Sequence, residues 1–550
     1  MAKTPHRAFM EDFKSSRILF PDDDSTYFKD NPGRYPAVLA LLFNTFGWTP
    51  TGEGEIRSEE CSPSVWQGHL QDPRVRSSVQ MQGALIQKYF QQCEKELVTG
   101  PTSEFMNGLK MLTMKYNAKD NPFLSRVVFS LPGNVKLKGL LALKGDMKRR
   151  PLVIFRTGIF ANVEEFIAER AWLMMLFEQS PFNVLLVENM SGSDFIANNK
   201  QLSFGGYDEG IQNILLARLV QDPMEPISRI VEDVHLFGVS LGGHGVLFAS
   251  LLNKYNSSAS RPLIKSFFAY CPVVNLQESM GHLTQSGWIS KVVDVWAERR
   301  LTHLKKIYPD LKDFPAFHFL DAVVMKLVKT YRGGLSYVSS IRLPPGMVDG
   351  PDFWIMNDYW KFYKDVQEPV LIVATQQDPV VSFATNAQTL QNKKLKIDSK
   401  NVKVVDLPEG MHCTLPVVYD WQAVTSMMQG YVLSHSPEFK MRAQNLDMDM
   451  KEEWSADFFN SPVSAEFDLD WPKKDKGFVT LEIRARNQKG DKQDFNMSLP
   501  LSEFDFRFWN KEITKAEQQM MTRWLNQNLS VRIGIRDQKS LLRVSWPVAL

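Results

Sequence analysis

Cysteine is scarce: the 550 residues hold four, Cys61, Cys93, Cys271 and Cys413. No two stand as C-x-x-C, so the usual signature of a structural zinc site is missing and no metal is expected. So few cysteines in so long a chain also argue against a disulfide-stapled fold. An excess of either charge is lacking too. There are 64 Lys and Arg against 62 Asp and Glu, a net charge of +2. A nucleic-acid-binding chain shows a concentrated basic face, so no nucleic-acid partner is expected. The short run Lys148-Arg149-Arg150 reads as a solvated loop ahead of a strand. Long apolar runs are absent as well. The N-terminal sequence MAKTPHRAFMEDFKSSR lacks the apolar stretch of a secretory signal. The longest early apolar run, 37–46, falls short of the roughly 20 residues that span a bilayer. A cytoplasmic protein without a transmembrane segment is the expectation.

What is present is enough hydrophobic residue, 44% of the chain, to bury a large core. At about 100–200 residues per domain the chain is too long for one compact unit. Residues 1–119 read as an N-terminal helical extension, with apolar residues at helical spacing over 35–46 and helical stretches over 79–97 and 104–116. From about residue 124 the pattern changes to short, continuous apolar runs alternating with helical segments. The runs 126–131 and 135–143, joined by Pro132-Gly133-Asn134, predict an antiparallel pair. Further strands are predicted over 152–155, 184–188, 234–237, 264–270, 370–374 and 402–406. Helices are predicted over 163–178, 211–220, 246–254 and 421–433. Continuous apolar strands suit a parallel sheet covered on both faces. The domains read as 120–275 and 365–439, two parts of one α/β core, with 276–364 inserted between them. A small α+β module over 440–550 follows, entered through a polar linker at 443–453 and carrying a β-hairpin over 478–499.

The most informative segment is Gly238-Val239-Ser240-Leu241-Gly242, a G-x-S-x-G between an apolar strand and a helix. A nucleophilic serine must sit on a sharp turn so that its hydroxyl projects above the sheet. Glycines on either side remove the Cβ atoms that would clash there. The helix that follows points its N-terminal N–H groups at developing negative charge. Two rival readings of the glycines fail. Phe248 stands where a dinucleotide fingerprint needs a third small residue, and no Lys-Ser or Lys-Thr follows to make a phosphate loop.

A serine hydroxyl needs a base with a near-neutral pKa and an acid to orient it. In this strand–turn–helix setting the acid and then the histidine follow later along the chain. Asp378 lies just beyond the apolar strand 370–374, and His412 just beyond the strand 402–406. Of nine histidines, only His412 has this placement. His244, close to the serine, reads as a helix or pocket residue. Asp406 and Glu409 are the weaker alternatives for the acid.

These segments resemble the α/β-hydrolase superfamily over about residues 124–275 and 365–435. The resemblance implies an α/β fold with a mostly parallel eight-stranded sheet and a cofactor-free, metal-free mechanism. It also implies an oxyanion hole. One donor is the backbone N–H of Leu241; the other comes from the loop Thr157-Gly158-Ile159-Phe160, where many members carry His-Gly. Ile159 is the expected second donor and Phe160 the substitute. A removed oxyanion donor costs roughly 3–4 kcal/mol at the transition state. The insertion 276–364 is then a helical cap above the serine. Its aromatics, Trp288, Trp296, Tyr308, Phe319, Phe353 and Trp354 among them, form mostly its own core, with the rest lining an apolar pocket.

The expected activity is hydrolysis of a carboxylic ester of a small, partly apolar molecule by Ser240, His412 and Asp378. The same triad serves thioesterases, amidases and acyltransferases. A non-catalytic binding protein on a hydrolase scaffold is the alternative of a different class. Nothing in the sequence names a partner for the C-terminal module.

Overall fold

The computed structural model describes residues 10–21, 27–28 and 59–449, apart from short stretches of which 101–106, 109–115, 331–339 and 392–398 are the longest. Farther on it describes 463–471, 478–500 and most of 518–549. The helix expected over 35–46 lies outside the described residues, as does nearly all of 104–116.

Nine strands form the main sheet. They are β1 (Ile18–Leu19), β2 (Leu124–Leu131), β3 (Val135–Ala142), β4 (Arg150–Arg156), β5 (Asn183–Val187), β6 (Val231–Val239), β7 (Ser266–Tyr270), β8 (Val370–Thr375) and β9 (Val402–Leu407), in the order β1-β2-β3-β5-β4-β6-β7-β8-β9. The first three join antiparallel, and β3 also meets β5 antiparallel. Every later pairing is parallel. One more strand is present than the eight expected, because the N-terminal segment, read as purely helical, adds the two-residue β1 at the edge. Two residues are too few to leave an alternation signal.

Every residue of β4, β5, β7 and β8 is buried. Successive side chains serve opposite faces: Leu152 and Ile154 enter one apolar cluster, Val153 and Phe155 the other. On one face lie α3 (Ser193–Asn199), α4 (Gly206–Gln221) and α5 (Ser240–Asn256). On the other lie α2 (Ile167–Glu178), α8 (Trp421–Ser434) and, from the N-terminal part, α1 (Val79–Gln92). Because β4, β6, β7, β8 and β9 run parallel, the loops leaving them gather along one rim. Those loops carry Thr157–Phe160, Ser240, Cys271, Asp378 and His412.

Between β7 and β8 the chain forms the helices α6 (Trp288–Arg300) and α7 (Phe319–Thr330). Phe319, Phe353 and Tyr359 are fully buried, whereas Trp296 and Trp354 are half-buried. The C-terminal residues build two three-stranded antiparallel sheets, one including β11 (Val463–Asp470) and the other β14 (Ser530–Arg536). The expected hairpin is β12 (Phe478–Asn487) with β13 (Lys492–Pro500). The polar segment read as a linker is instead mostly strand β10 (Met441–Asp449), paired along its length with β15 (Lys539–Ala549). Its polarity belongs to an exposed face, where Asp447 meets Arg543 at 2.7 Å and Asn445 meets Ser545 at 2.7 Å.

Two further expectations are corrected. Arg150 is not solvated: its guanidinium is buried and donates to the Pro181 carbonyl at 3.1 Å. All four cysteines are paired, Cys61 with Cys93 and Cys271 with Cys413. Pairing of residues so distant along the chain leaves no local sequence pattern.

Beneath the rim lies a buried polar layer. Lys138 and Asp194 form an ion pair at 2.6 Å with both side chains shielded from solvent. The Glu188 carboxylate accepts from the Lys138 N–H at 2.7 Å. Burial pushes the carboxyl groups of Glu188 and Glu209 up to about 8, against the pull of Lys138 and Arg156. Both acids are therefore held protonated when folded but ionise near 4.5 when unfolded. Their contribution to stability is full below 4.5 and is lost as pH rises through 8. The melting temperature is expected to fall between pH 6 and pH 9. The double variant Glu188→Gln/Glu209→Gln, which mimics the protonated acids, is expected to flatten that decline. An equally steep decline in the variant rules the assignment out.

Candidate active site

Val239 ends β6 in extended conformation, and Ser240, the first residue of α5, takes a left-handed φ of 54°. The two glycines of the motif are required by close backbone approach. A Cβ on Gly238 would stand 2.5 Å from the Gly242 carbonyl oxygen; one on Gly242 would stand 2.2 Å from that of Thr157. The second contact seats the start of α5 directly on the loop leaving β4. Ser240 is 8% exposed.

Asp378 follows β8. Its Oδ1 accepts the N–H groups of Val380 and Val381, each at 2.9 Å. That fixes the carboxylate and turns Oδ2 to His412 Nδ1 at 2.7 Å. The other ring nitrogen, Nε2, lies 2.9 Å from Ser240 Oγ. A nitrogen facing a carboxylate carries the proton, so Nδ1–H donates to Asp378 and Nε2 accepts from the serine hydroxyl. Residues 172 positions apart in sequence are thus brought into one relay.

The histidine loop is tied down at several points. Gly410 turns it with φ 110°, the Met411 N–H donates to Thr414 Oγ1 at 2.9 Å, and the Leu415 N–H donates to the buried Tyr270 hydroxyl at 2.7 Å. The Cys271–Cys413 bridge fastens it to the end of β7, and Cys413 Sγ lies 3.6 Å from His412 Nε2. Cys271, His412 and Cys413 also form the one group among the described residues with metal-ligand spacing. Because the two sulfurs are joined to each other, the group as it stands offers a metal little beyond one imidazole nitrogen.

The alternatives are placed elsewhere. The Asp406 carboxylate accepts from Gln87 at 2.6 Å and Gln376 at 3.1 Å, and Glu409 accepts from Gln377 at 3.5 Å; neither meets His412. His244 is buried against Phe248, with Nδ1 on the Val273 carbonyl at 2.8 Å. Burial pushes its pKa down to about 4, so the ring is neutral and packs beneath the elbow.

Of the two candidate donors on the β4 loop, Phe160 has already spent its N–H on Ser191 Oγ at 2.8 Å. The Ile159 N–H has no partner among the described residues. Leu241 N–H sits at the helix N-terminus, where no intrahelical acceptor exists. The loop's supports were not foreseen. Asn189 Nδ2 donates to the Thr157 carbonyl at 3.0 Å, Ser191 Oγ donates to Asn189 Oδ1 at 2.5 Å, and Arg300 reaches the Phe160 carbonyl from the insertion. The only sequence hint of the first two is the turn-forming composition of Asn189-Met190-Ser191-Gly192.

The strand order, the elbow and the loops carrying Asp378 and His412 together decide the architecture. The chain has the α/β-hydrolase fold. No protein-family model matches the sequence, and no curated protein does. Solved structures of similar shape include the esterase Pf2001 of Pyrococcus furiosus, at 14% identity and TM-score 0.33, over 57% of this chain and 93% of that one. Est1E of Butyrivibrio proteoclasticus matches at 16% identity and TM-score 0.32, over 56% and 98% respectively. The thermostable carboxylesterase EstE1, cloned from a metagenomic library, matches at 13% identity and TM-score 0.35, over 61% and 95%. No helix of this α/β-hydrolase fold is long and apolar enough to cross a membrane among the described residues. A groove of about 630 Å³, lined by Gln67, Gln422, Gln429, Ser436 and Lys440 among others, contains none of the three relay residues.

Two substitutions probe this geometry. Gly242→Ala drives a methyl group into backbone rather than into a movable side chain, so it is expected to destabilise the fold and abolish any reaction at Ser240. Thermal melting with an active-site label reads both effects. Replacing Cys271 and Cys413 by serine opens a covalent loop of 142 residues. The expected cost is about 2–5 kcal/mol in urea denaturation, with wild type and variant converging when both are measured in a thiol reductant, which opens Cys61–Cys93 in each.

Proposed function

We propose that this protein is a serine hydrolase that cleaves a carboxylic ester of a small, partly apolar molecule through an acyl-enzyme on Ser240. The observation that carries the reading is the unbroken relay from Ser240 Oγ through His412 to Asp378. His412 Nε2 takes the hydroxyl proton as Oγ attacks the carbonyl carbon. Asp378 stabilises the resulting imidazolium, which is worth orders of magnitude in rate. The oxyanion is held by the N–H groups of Leu241 and Ile159. His412 gives its proton to the departing alkoxide, leaving the acyl group on Ser240. Water then loses a proton to Nε2 and attacks the acyl carbon, and collapse returns the proton to Oγ with release of the acid. The insertion 276–364 is the cap that shields this chemistry from solvent. No step calls for a cofactor.

Hydrolysis of a p-nitrophenyl ester series tests the proposal. Wild type is expected to turn over short and medium acyl chains, and Ser240→Ala to lose at least about a thousandfold in kcat. A fluorophosphonate is expected to label wild type stoichiometrically and Ser240→Ala not at all. Activity retained in the variant removes Ser240 as nucleophile. Labelling without ester turnover shifts the leaving group to a thiol, an amine or an acceptor alcohol.

A further inference from the structure

We propose that Arg300 is a positioning residue for the oxyanion hole, so that the hole is complete only while the cap helix α6 is seated. This rests on the reading of Ser240 as nucleophile and of the Ile159 N–H as a donor. Arg300 is the last residue of α6, far from the triad in sequence, and is only 1% exposed. A charge so buried is retained only where it is hydrogen-bonded. Its Nε and Nη2 both donate to one acceptor, the carbonyl oxygen of Phe160, at 3.2 and 2.9 Å.

That carbonyl belongs to a turn that its own backbone hydrogen bond does not hold alone. Phe160 has a left-handed φ of 59°, a conformation that a bulky side chain adopts only when its surroundings impose it. Four contacts impose it here. The Phe160 N–H donates to Ser191 Oγ at 2.8 Å, and the Ala161 N–H closes back onto the Gly158 carbonyl at 3.3 Å. From the opposite side comes α6, which meets the residue twice. Arg300 takes its carbonyl, and Trp296, one helical turn earlier, packs edge-on to its ring at 5.1 Å. Ile159 is the residue immediately before, inside the same turn. Relaxation of Phe160 to negative φ re-aims the adjoining peptide planes. An oxyanion donor acts at full strength only within about 2.7–3.1 Å of the oxygen. The cap thus reaches the reaction through a peptide carbonyl rather than through the substrate.

The test compares wild type, Arg300→Met and Arg300→Lys on a p-nitrophenyl ester. Arg300→Met is expected to lower kcat by about 10- to 100-fold, part of the loss on removing a donor outright, with KM within about threefold. Its fluorophosphonate labelling slows in parallel, and added guanidinium ion restores several-fold of the lost rate. Arg300→Lys keeps the charge but not the planar fork, and is expected to fall between the two; if Arg300→Met does not fold, this variant carries the same expectation. Wild-type kcat in a folded variant overturns the proposal, as does a loss confined to KM or to melting temperature. Failure of the fluorophosphonate to label wild type at Ser240 overturns the reading of the nucleophile itself, separately from any result at residue 300.

Discussion

The left-handed turn at Ser240 is the constraint on which the rest of the site depends. A strand entering and a helix leaving at that angle are possible only if nothing projects from the backbone on either side. That is why Gly238 and Gly242 stand where they do. The turn sets the serine hydroxyl at the rim, presses the helix start against the loop after β4, and leaves the Leu241 N–H without a partner among the described residues. The acid and the histidine then need only to arrive on neighbouring strands. Parallel β8 and β9 deliver them, and Asp378 is clamped by two backbone N–H groups before it meets His412.

The parts of the fold that were legible in the sequence are those written in short stretches of chain. The continuous apolar runs of β4, β7 and β8 announce buried parallel strands because every side chain in them is inside. Gly238, Ser240 and Gly242 announce a turn because their spacing is dictated by contacts within a few residues. Asp378 and His412 could be picked out because each stands just past such a strand. The rest was hidden for a common reason. Strand β10 is polar because one face meets solvent, so it looks like a linker until its partner, a hundred residues on, is known. Arg150 seems a surface charge until the Pro181 carbonyl is seen to receive it. Ser191, Tyr270 and Arg300 act on groups between 31 and 145 positions away, and no local pattern encodes a contact of that range.

The hidden contacts share a purpose that the visible ones do not. Residues read from the motif are those that form the hydrogen-bonded relay; those missed hold loops still. The loop after β4 is held by Asn189 and Ser191 below and by Arg300 above, and the histidine loop by Tyr270 and the Cys271–Cys413 bridge. Most of these supports are hydrogen bonds between buried polar groups, costly if half-made and rigid when complete. The geometry of such a relay is maintained by groups that lie outside it.

The Cys271–Cys413 bridge has a topological consequence. It joins the residue just after β7 to the residue just after His412, so the entire insertion and the loop carrying Asp378 lie within the ring it closes. A protease that nicks the insertion would part the polypeptide but not the molecule. The fragment bearing Ser240 and the fragment bearing Asp378 and His412 would stay fastened by sulfur, a few ångströms from where the three side chains meet.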